Sequence, residues 1–567
     1  MEVPIEERDT KGKEKVVLGS YGDNPWGEDE AEQREDAGIS ASGDGSEKRF
    51  LIVTIGTRGD LQPYVALTKA MQSAGWVVGF VASEAFAEFV AEHTHQVEFF
   101  PLLGNPAAIV NSPQFVKAFY EGGMQEQMNV MLEETKEWTE PNYHRVWEAA
   151  KQFRPDLILT GITTLSEVLA VGQKLRVPVV AACTLPIYPT SEWAPVTAVA
   201  KPLPLGFLNS FAQWATFKLL WSFLSGNINK FRASLGLAKQ ESYVVDAAPQ
   251  LCLYSEQVVP YPHDWPVDLI EVTGYWDLNK SANTSLRWYR GRPPLRQTNS
   301  VELESFLDEG DAPVYMGFGS MPLKNATELA LDFCEVLKKL NRRGVVQLGW
   351  SQEKAKVAQA LAGQTHVRLL PDLPHEWLFP RCSIIIHHGG AGTTAAALRA
   401  GVPSVVFPVL MDQPFWASRV AALGAGPQLA IPLKKLTRDN LESQILAASG
   451  EEMALRAQAV AASLRKDPDG VAAAVKWLEK YAASPQHPRN HGSRQPTTDD
   501  GLVAWLPDDS VQECMECKTG FSFLNRRHHC RVCGGIFCGQ CVIKQTRVLN
   551  HSRAQALPVC RLCRTNA

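Results

Sequence analysis

Eight of the twelve cysteines are grouped near the end of the chain, and each has a partner three positions away. The C-x-x-C spacing lets two thiolates bind one edge of a tetrahedral zinc ion, so four pairs can close two structural sites. Disulfides are a poor alternative, because the first residues are too charged for a secretory signal. A domain of about 60 residues has too small a core to fold alone, and metal binding supplies that stability. We therefore expect two structural zinc ions, bound by Cys514, Cys517, Cys530, Cys533, Cys538, Cys541, Cys560 and Cys563.

The stretch FSFLNRRHHCR, residues 521–531, places aromatic side chains directly beside cationic and imidazole groups. A folded core disfavours the charges and a solvated loop disfavours the rings, whereas a membrane surface accommodates both. A nucleic acid is the alternative partner, and it predicts basic residues spread over a wider face. The net charge of −5 argues against a chain that coats nucleic acid. We expect contact with a membrane and no nucleic acid partner.

A second candidate site lies in the stretch SIIIHHGGAGTT. A buried strand ends at His388 and a helix opens at Thr393, and backbone N–H groups at such a turn bind anions. A turn with a purely structural purpose is the alternative. Ser320, Asp412 and Gln413 also follow strands, and the carboxyl ends of parallel strands line the ligand crevice of such sheets. The last two carry groups that hydrogen-bond sugar hydroxyls.

A third candidate is Asp60, in the stretch GTRGDLQP of the first half. The residue follows a buried strand at the start of a helix, so we expect its carboxylate to face a cleft between the two halves. The alternative is that Asp60 only caps the helix.

Alternating apolar runs and helical segments predict the elements that position these residues. The runs FLIVTIG, VVGFVAS and PDLILTG are each followed by a helical pattern, and the further apolar runs VEFFPL and VPVVAAC continue the series, which indicates repeated β-α-β units and a buried parallel sheet. The rhythm restarts in PVYMGFGS, GVVQLGW, SIIIHHGG and PSVVFPV. The predicted fold class is α/β, with two Rossmann-like domains facing a cleft and a small two-zinc domain.

Changes in composition predict the domain boundaries. The first 48 residues hold 14 acidic and 6 basic residues and lack apolar periodicity, which is typical of a disordered tail. A polar, Pro-rich segment before the cysteine cluster is typical of a linker. The predicted units are an acidic tail (1–48), a first Rossmann-like domain (49–280), a second (281–483), a linker (484–503) and the zinc domain (504–567).

Membrane-spanning segments are not expected, because no apolar run reaches the roughly 18 residues that a spanning helix needs. The best candidate, residues 203–224, is interrupted by Asn209, Gln213 and Lys218, and we interpret it as a buried or interfacial helix pair. The chain is therefore expected to be cytoplasmic or peripheral on a membrane. The remaining cysteines lie in apolar runs and are expected to be reduced core residues: Cys183, Cys252, Cys334 and Cys382.

The motifs outside the cysteine cluster resemble a known family. GTRGDLQPYVAL, TLPIYPTSEW, VTGYW, PVYMGFGSMP, LPHEWLFPRC and HHGGAGTTAAALRAGVPSVVFPVLMDQPFW together resemble the sterol 3-β-glucosyltransferases, which are UDP-glycosyltransferases of the GT-B fold. The resemblance covers roughly residues 49–480. It implies that Asp60 is the catalytic base and that the second half binds UDP-glucose, through Ser320, His388, Gly390, Gly392 and Thr393 at the diphosphate and Asp412 and Gln413 at the glucosyl hydroxyls.

The chemistry of these residues is consistent with that reaction. A hydroxyl acceptor is a poor nucleophile, so a carboxylate must remove its proton as the new bond forms. Fixed N–H dipoles, Ser320 and a protonated or donating His388 can stabilise the negative charge on the leaving UDP, and no catalytic metal is expected. A single displacement inverts the anomeric centre.

The C-terminal region resembles a FYVE domain, on the motifs WLPD and RRHHCR beside the cysteine pairs. This resemblance implies recognition of phosphatidylinositol 3-phosphate, with the first and third cysteine pairs on one zinc and the second and fourth on the other. It also implies the residues that contact lipid: Phe523 and Leu524 in the bilayer, and Arg526, Arg527, His528, His529 and Arg531 on the headgroup.

Two classes of function follow from these expectations. The leading hypothesis is an enzyme on endosomal or other phosphoinositide-bearing membranes that glucosylates a sterol, or as its runner-up another lipid or hydrophobic acceptor. The other class is a phosphoinositide-binding adaptor with an inactive transferase half. Sugar transfer from UDP-glucose to a panel of lipids discriminates between the two.

Overall fold

A computed structural model describes most of the two predicted Rossmann-like halves and part of the zinc domain. The described residues are 47–196, 203, 205–243, 245–278, 300–321, 323–483, 511–515, 517, 519–522, 526–529, 536–539, 541–545 and 557–560, together with Val17–Leu18. The predicted linker lies outside them, as does the predicted acidic tail apart from residues 17–18 and 47–48.

The first half is built on a parallel sheet whose strands have the spatial order β1-β4-β3-β2-β5-β6-β7-β8. The side chains of Phe50, Leu51, Ile52 and Val53 on the central strand are fully buried, as expected for a sheet that is covered on both faces. The strands are β1 (Val17–Leu18), β2 (Arg49–Val53), β3 (Val77–Ser83), β4 (Glu98–Leu102), β5 (Leu157–Thr160), β6 (Val179–Cys183), β7 (Gln250–Cys252) and β8 (Ile270–Val272).

Helices cover both faces of this sheet. Their bounds are α1 (Arg58–Ser73), α2 (Ala87–His93), α3 (Pro106–Val110), α4 (Pro113–Glu121), α5 (Met124–Phe153), α6 (Leu165–Leu175) and α7 (Gly206–Ser234). The segment that was interpreted as a helix pair is a single helix, α7. Asn209 and Gln213 do not break it, because their side chains bond to the preceding loop rather than to the backbone of their own helix.

The second half is built on a parallel sheet with the order β11-β10-β9-β12-β13. Its strands are β9 (Val314–Gly317), β10 (Gly344–Gln347), β11 (Val367–Leu370), β12 (Ile384–His387) and β13 (Ser404–Val406). Its helices are α8 (Ser300–Asp308), α9 (Ala326–Lys339), α10 (Lys354–Leu361), α11 (His375–Leu378), α12 (Ala391–Ala400), α13 (Gln413–Ala422), α14 (Arg438–Ala448), α15 (Glu451–Leu464) and α16 (Gly470–Ala483).

The last helix crosses back to the first half. Val471, Ala474 and Leu478 of α16 belong to the same buried cluster as Phe50 of β2 and Leu67 of α1. A second shared cluster packs Cys252 and Trp265 of the first half with Trp416 of α13. Two apolar clusters therefore join the halves around the cleft.

The described part of the zinc domain consists of two short antiparallel ladders. Strand β14 (Arg527–His529) pairs with β15 (Ile536–Cys538), and β16 (Val542–Gln545) pairs with β17 (Leu557–Cys560). Within the described residues, no helix is long and apolar enough to cross a bilayer.

The isolated thiols occupy the places that were expected of core residues. Cys183, Cys252, Cys334 and Cys382 are all buried and none is in a disulfide. Burial raises the pKa of Cys252 to about 12 and that of Cys334 to about 11, so both thiols are neutral core groups.

Candidate functional site

Asp60 lies in the first turn of α1 and forms a capping box with Thr57. The backbone N–H of Thr57 donates to Asp60 Oδ2 at 2.7 Å, and the Thr57 hydroxyl contacts the same oxygen at 3.2 Å. In return, Thr57 Oγ1 accepts from the backbone N–H of Gly59 at 3.2 Å. The helix-cap alternative is therefore present in the structure, and it fixes the position of the carboxylate whether or not Asp60 is also a base.

A glycine lets the Asp60 carboxylate lie against the chain. Gly56 has φ +151°, and a Cβ at this position would lie 2.3 Å from Asp60 Oδ2, so another residue here would push the carboxylate away. The side chain keeps a solvent-accessible surface, yet protein surrounds it closely enough for desolvation to raise its pKa, against the opposing hydrogen bonds from Thr57. A raised carboxyl pKa suits a group that must accept a proton near neutral pH.

His388 follows β12, and its ring lies between two glycine backbones. A Cβ on Gly390 would lie 2.5 Å from His388 Nε2, and one on Gly319 would lie 3.1 Å from His388 Cε1. Strands β9 and β12 are neighbours, so Ser320, which follows Gly319, is brought beside His388. Gly390 thus makes room for the His388 ring. This steric reason for a glycine differs from the one expected from the sequence, which was the close approach of an anion to the backbone.

His388 is a neutral imidazole in this environment. Burial lowers its pKa to about 4, with a smaller contribution from the charge of His375. Its Nδ1 is buried and has no hydrogen-bond partner among the described residues. Of the two forms that were expected, protonated or donating, the electrostatics favour a neutral ring that donates one N–H.

The remaining residues of the predicted diphosphate site lie at the start of α12. Gly390 is the N-cap of this helix, Gly392 and Thr393 lie in its first turn, and no side chain caps it. A Cβ on Gly392 would meet no atom within 4 Å, so the space beside it is open. The uncapped N–H groups of this turn are available to an anion.

Asp412 is the N-cap of α13 and lies at the end of the loop that follows the neighbouring strand β13. Its Oδ2 accepts from the indole N–H of Trp416 at 2.7 Å. Burial raises the pKa of Asp412 to about 6, the Trp416 hydrogen bond opposes this, and the charge of Asp60 raises it slightly further. The carboxylates of Asp60 and Asp412, which belong to different halves, therefore lie close enough to interact across the cleft.

The side chain of Gln413 is used within the protein. Its Oε1 accepts from the backbone N–H groups of Val409 at 2.8 Å and Leu410 at 3.2 Å, and its Nε2 lies 3.1 Å from the sulfur of Met321. These contacts tie the loop after β13 to the loop after β9. They shape the predicted sugar-binding edge, and direct contact between Gln413 and a sugar stays a prediction.

Two side chains that the sequence did not mark as functional also face the cleft. His375 of α11 stacks on Phe379 with ring centroids 4.4 Å apart, and burial together with the charge of Arg58 lowers its pKa to about 4. Arg58 precedes Asp60 by two residues. The RGD turn of the first half therefore directs two charged side chains, Arg58 and Asp60, towards the second half. The motif LPHEWLF contains His375, but its spacing does not show that this ring approaches His388.

The loop after β6 closes the cleft on the other side. The rings of Trp193 and Phe415 are 5.8 Å apart at a right angle, and Arg419 of α13 donates to the carbonyl oxygen of Val258 at 2.8 Å. Opposite, a cavity of about 350 Å³ lies between α4 and the loops after β9 and β10, with Lys117, Lys324 and Glu353 in its lining. Residues of both halves therefore line this cavity.

Four cysteines of the C-terminal region form a cluster that fits one zinc ion. The sulfur atoms of Cys514, Cys517, Cys538 and Cys541 all lie within 4.8 Å of one another, and none forms a disulfide. Tetrahedral zinc with Zn–S bonds of 2.3 Å places its sulfur ligands about 3.8 Å apart, which agrees with this cluster. The pairs that meet are the first and third, as expected. The side chains of Cys530, Cys533, Cys560 and Cys563 lie outside the described residues.

The basic stretch lies on β14, directly beside this cluster, because Arg527 pairs with Cys538. Alternation along the strand exposes Arg526 and His528 on one face. Arg527 points the other way: its guanidinium lies 4.7 Å from the Phe521 ring and donates to the carbonyl oxygen of Val511 at 3.3 Å. Among the other predicted lipid contacts, Phe523, Leu524, Arg531 and the side chain of His529 lie outside the described residues.

Known families match three parts of the chain. The FYVE zinc finger family matches residues 504–567, the erythromycin biosynthesis protein CIII-like C-terminal domain matches residues 346–475, and the glycosyltransferase family 28 N-terminal domain matches residues 50–184. The fold agrees with solved structures. The glycotransferase of kitacinnamycin superimposes with a TM-score of 0.51 at 18% identity over 77% of this chain and 99% of its own. The spinosyn forosaminyltransferase gives a TM-score of 0.51 at 17% identity over 77% and 100%.

These matches and the two parallel sheets define a glycosyltransferase of the GT-B fold that carries a FYVE zinc finger. One sterol 3-beta-glucosyltransferase of Arabidopsis thaliana is 31% identical over 506 residues, which cover 86% of this chain and 75% of the relative. A second is 31% identical over 77% of this chain and 66% of its own length. The chain therefore belongs to the sterol 3-beta-glucosyltransferase family of UDP-glycosyltransferases. A Saccharomyces cerevisiae relative is 30% identical but much longer, so that the match spans 35% of it.

Proposed function

We propose that this protein transfers glucose from UDP-glucose to the 3-hydroxyl of a membrane sterol, with inversion at the anomeric carbon. The observation that carries the proposal is the start of α12, where an uncapped helix N-terminus with open space beside Gly392 lies next to the His388 ring, in a chain of the sterol 3-beta-glucosyltransferase family. Family membership supports the substrate class, since the relatives in Arabidopsis thaliana and Saccharomyces cerevisiae are sterol 3-beta-glucosyltransferases by name.

Asp60 is the proposed base. Its capping box holds Oδ2 at the N-terminus of α1, and its raised pKa increases its affinity for the acceptor proton. The proton of the sterol hydroxyl passes to the carboxylate while the oxygen attacks the anomeric carbon and the bond to UDP breaks. Because attack and departure occur on opposite faces, an α-linked donor yields a β-glucoside.

The second half is the proposed donor site. In this proposal, the N–H groups of the first turn of α12, the Ser320 hydroxyl and the neutral His388 ring stabilise the negative charge that UDP acquires on leaving, and the uncapped helix start supports that role. Gly390, Gly392 and Thr393 supply backbone to the diphosphate, and Asp412 and Gln413 position the glucosyl hydroxyls. No step in this scheme requires a catalytic metal.

The zinc finger is proposed to recruit the enzyme to membranes that carry phosphatidylinositol 3-phosphate, such as those of endosomes. One structural zinc belongs to the cluster of Cys514, Cys517, Cys538 and Cys541, and a second is proposed for Cys530, Cys533, Cys560 and Cys563. The headgroup would be bound by the basic stretch 526–531, with Phe523 and Leu524 in the bilayer. Localisation is then peripheral.

The purified full chain incubated with UDP-glucose and a panel of sterols and other lipids tests the proposal, with products identified by mass. We expect a hexosyl sterol whose linkage is β by NMR. Transfer to other lipids but not to sterols would correct the acceptor. Binding of UDP-glucose without transfer to any lipid would leave an adaptor and overturn the enzymatic proposal.

A further inference from the structure

The longest exposed apolar feature in the described residues lies on α7, on the first half and outside the zinc finger. Phe207, Phe211 and Trp214 are 63%, 62% and 55% exposed, although residues of this type are normally buried. They are followed by Lys218, and the spacing of four, three and four residues places all four side chains on one face of the helix. We call these four residues the α7 stripe.

Hydrogen bonds on the opposite face of α7 fix the orientation of the helix and so keep the stripe exposed. Asn209 donates to the carbonyl oxygen of Ser191 at 2.8 Å, and Gln213 donates to that of Trp193 at 2.6 Å while accepting from the N–H of Thr190 at 2.9 Å. Both amide side chains are buried. In the first turns of α7, polar groups therefore face inwards and aromatic groups outwards, which is the reverse of an ordinary surface helix; further along the helix, Trp221 and Phe231 are buried.

The charge of the helix indicates what covers the stripe. The 29 residues of α7 include no aspartate or glutamate, and their charged side chains are Lys218, Lys230 and Arg232, in a chain whose net charge is −5. The ammonium of Lys218 lies 4.9 Å from the centre of the Trp214 ring, so the cation and the aromatic ring share one surface. Aromatic rings with a snorkelling lysine suit the interface of an anionic bilayer.

The size of the stripe argues against a protein partner. Aromatic side chains offer roughly 150–250 Å² each, so three that are about 60% exposed present roughly 270–450 Å². A stable protein interface buries about 800 Å² on each partner. An interfacial helix needs no such area, since its apolar side chains insert into lipid individually and anionic lipids add attraction.

The location of the stripe connects it with the cleft. The loop to which Asn209 and Gln213 are bonded continues to Trp193, which packs on Phe415 of α13, three residues after Asp412. We propose that the α7 stripe docks on the surface of an anionic phospholipid bilayer, independently of the zinc finger. Docking would hold the first half, which carries the proposed base Asp60, against the membrane. This surface goes beyond the proposed recruitment by phosphoinositide, because it uses neither the finger nor its lipid.

The test measures binding of the full chain to phosphatidylcholine–phosphatidylserine vesicles that contain no phosphoinositide. The variant F207Q/F211Q/W214Q replaces the rings by good helix formers. We expect its partition to fall by at least about tenfold, because apolar burial in the interface is lost. Lys218→Glu should weaken binding most at low salt, since its attraction to anionic lipid is screened.

Matched controls are available on the same molecule. Leu446→Gln and Leu455→Gln change leucines of the second half that are 54% and 59% exposed, and Lys230→Glu changes an exposed lysine at the other end of α7. These variants should bind the vesicles as the wild type does, and Trp214→Phe should retain most of the binding. Equal binding by the wild type and the triple variant, or no binding by either, overturns the proposal.

Three further outcomes separate this proposal from the others. A dimer in sedimentation that dissociates in the triple variant would show that the stripe contacts a second copy, and the bilayer would be the wrong occupant. If the triple variant loses binding to phosphoinositide-free vesicles but keeps binding to vesicles with phosphatidylinositol 3-phosphate, both this proposal and the proposed role of the finger are supported. Loss of sugar transfer in every preparation, with vesicle binding intact, contradicts only the enzymatic proposal.

Discussion

The two halves around the cleft and the zinc finger obtain their stability from different sources. In the halves, apolar clusters of many side chains lie on both faces of each sheet, and the candidate site residues, such as Asp60 and His388, follow the strand ends. In the described part of the finger, the buried apolar cluster consists of Phe537 and three of the metal-site cysteines, Cys514, Cys538 and Cys541. A core of that size does not fold without help. Metal ligation therefore serves as the core of the finger, whereas in the cleft the core and the chemistry are carried by different residues.

The largest expected effect follows from removal of a zinc ligand. Cys538→Ser should reduce the zinc content and unfold the finger, because zinc binding supplies about 10–16 kcal/mol in domains of this kind. Binding to phosphatidylinositol 3-phosphate should be lost, while transfer to a detergent-solubilised acceptor and melting of the two halves stay unchanged. Metal analysis and calorimetry of the full chain measure these quantities. As a control, Cys334→Ala should lower the stability of the second half modestly without changing the zinc content.

The opposite pattern is expected at the cleft, where the chemistry can be removed without unfolding. Asp60→Asn should reduce transfer by about 10²–10⁴-fold, the usual effect of losing a general base. The chain contains a precedent for the retained cap: in α14, Asn440 accepts from the backbone N–H of Thr437 at 2.8 Å in the same kind of capping box. Melting temperature and UDP affinity should therefore be nearly unchanged.

Asn440→Asp is the matched control, since it exchanges the same two residue types in a capping box away from the cleft. Its transfer rate should equal that of the wild type. If Asp60→Asn lowers the melting temperature strongly and retains transfer, Asp60 acts only as a cap and another group is the base.

Local features of the sequence predicted the elements well. Continuous apolar runs such as FLIVTIG correspond to buried parallel strands, and the spacing of the cysteines indicated chelating pairs, while the meeting of the first and third pairs was implied by the resemblance to the FYVE family. These features succeed because a strand in a covered sheet and a chelating pair are defined by neighbours in the chain. The family resemblance then predicted which strand ends carry the chemistry.

Features that depend on tertiary packing could not be read from the same patterns. The return of α16 to the core of the first half requires the positions of both sheets. The approach of Arg58 to His375 depends on the arrangement of the halves, and the steric reason for Gly390 depends on the rotamer of His388. The outward aromatic face of α7 was visible as an i, i+4, i+7 pattern, but only the structure shows which face of the helix is inward.

The pH dependence of stability in Asp412→Asn tests whether a buried carboxylate at the cleft destabilises the folded protein. The pKa of Asp412 is raised to about 6 in the folded state from its ordinary value of 3.8 in the unfolded chain. Ionisation of this carboxyl therefore opposes folding progressively as the pH rises from about 4 to 6. The asparagine variant, whose side-chain oxygen can still accept from Trp416, should be more stable than the wild type at pH 7.5 by on the order of 1 kcal/mol and show little gain at pH 4. Urea unfolding at both pH values measures the difference. An equal gain at the two pH values would show that charge burial is not the cause.

The smallest expected effect concerns Met411, immediately before Asp412. This residue has φ +55°, a left-handed conformation that costs a side-chain-bearing residue about 1–2 kcal/mol, and its side chain is 55% exposed. Met411→Gly removes that cost but adds freedom to the unfolded chain, so the expected net gain is at most about 1 kcal/mol. Met411→Ala keeps the strain and should give no gain, and Asn341→Gly, at φ +50° away from the cleft, should give a smaller one because asparagine tolerates this conformation better than methionine. Thermal unfolding of the three variants, with the KM for UDP-glucose in parallel, compares them. If Met411→Gly is destabilised, contacts of the methionine side chain outweigh the backbone strain. If Met411→Gly is stabilised but its KM for UDP-glucose is raised, the strained loop helps to position the donor.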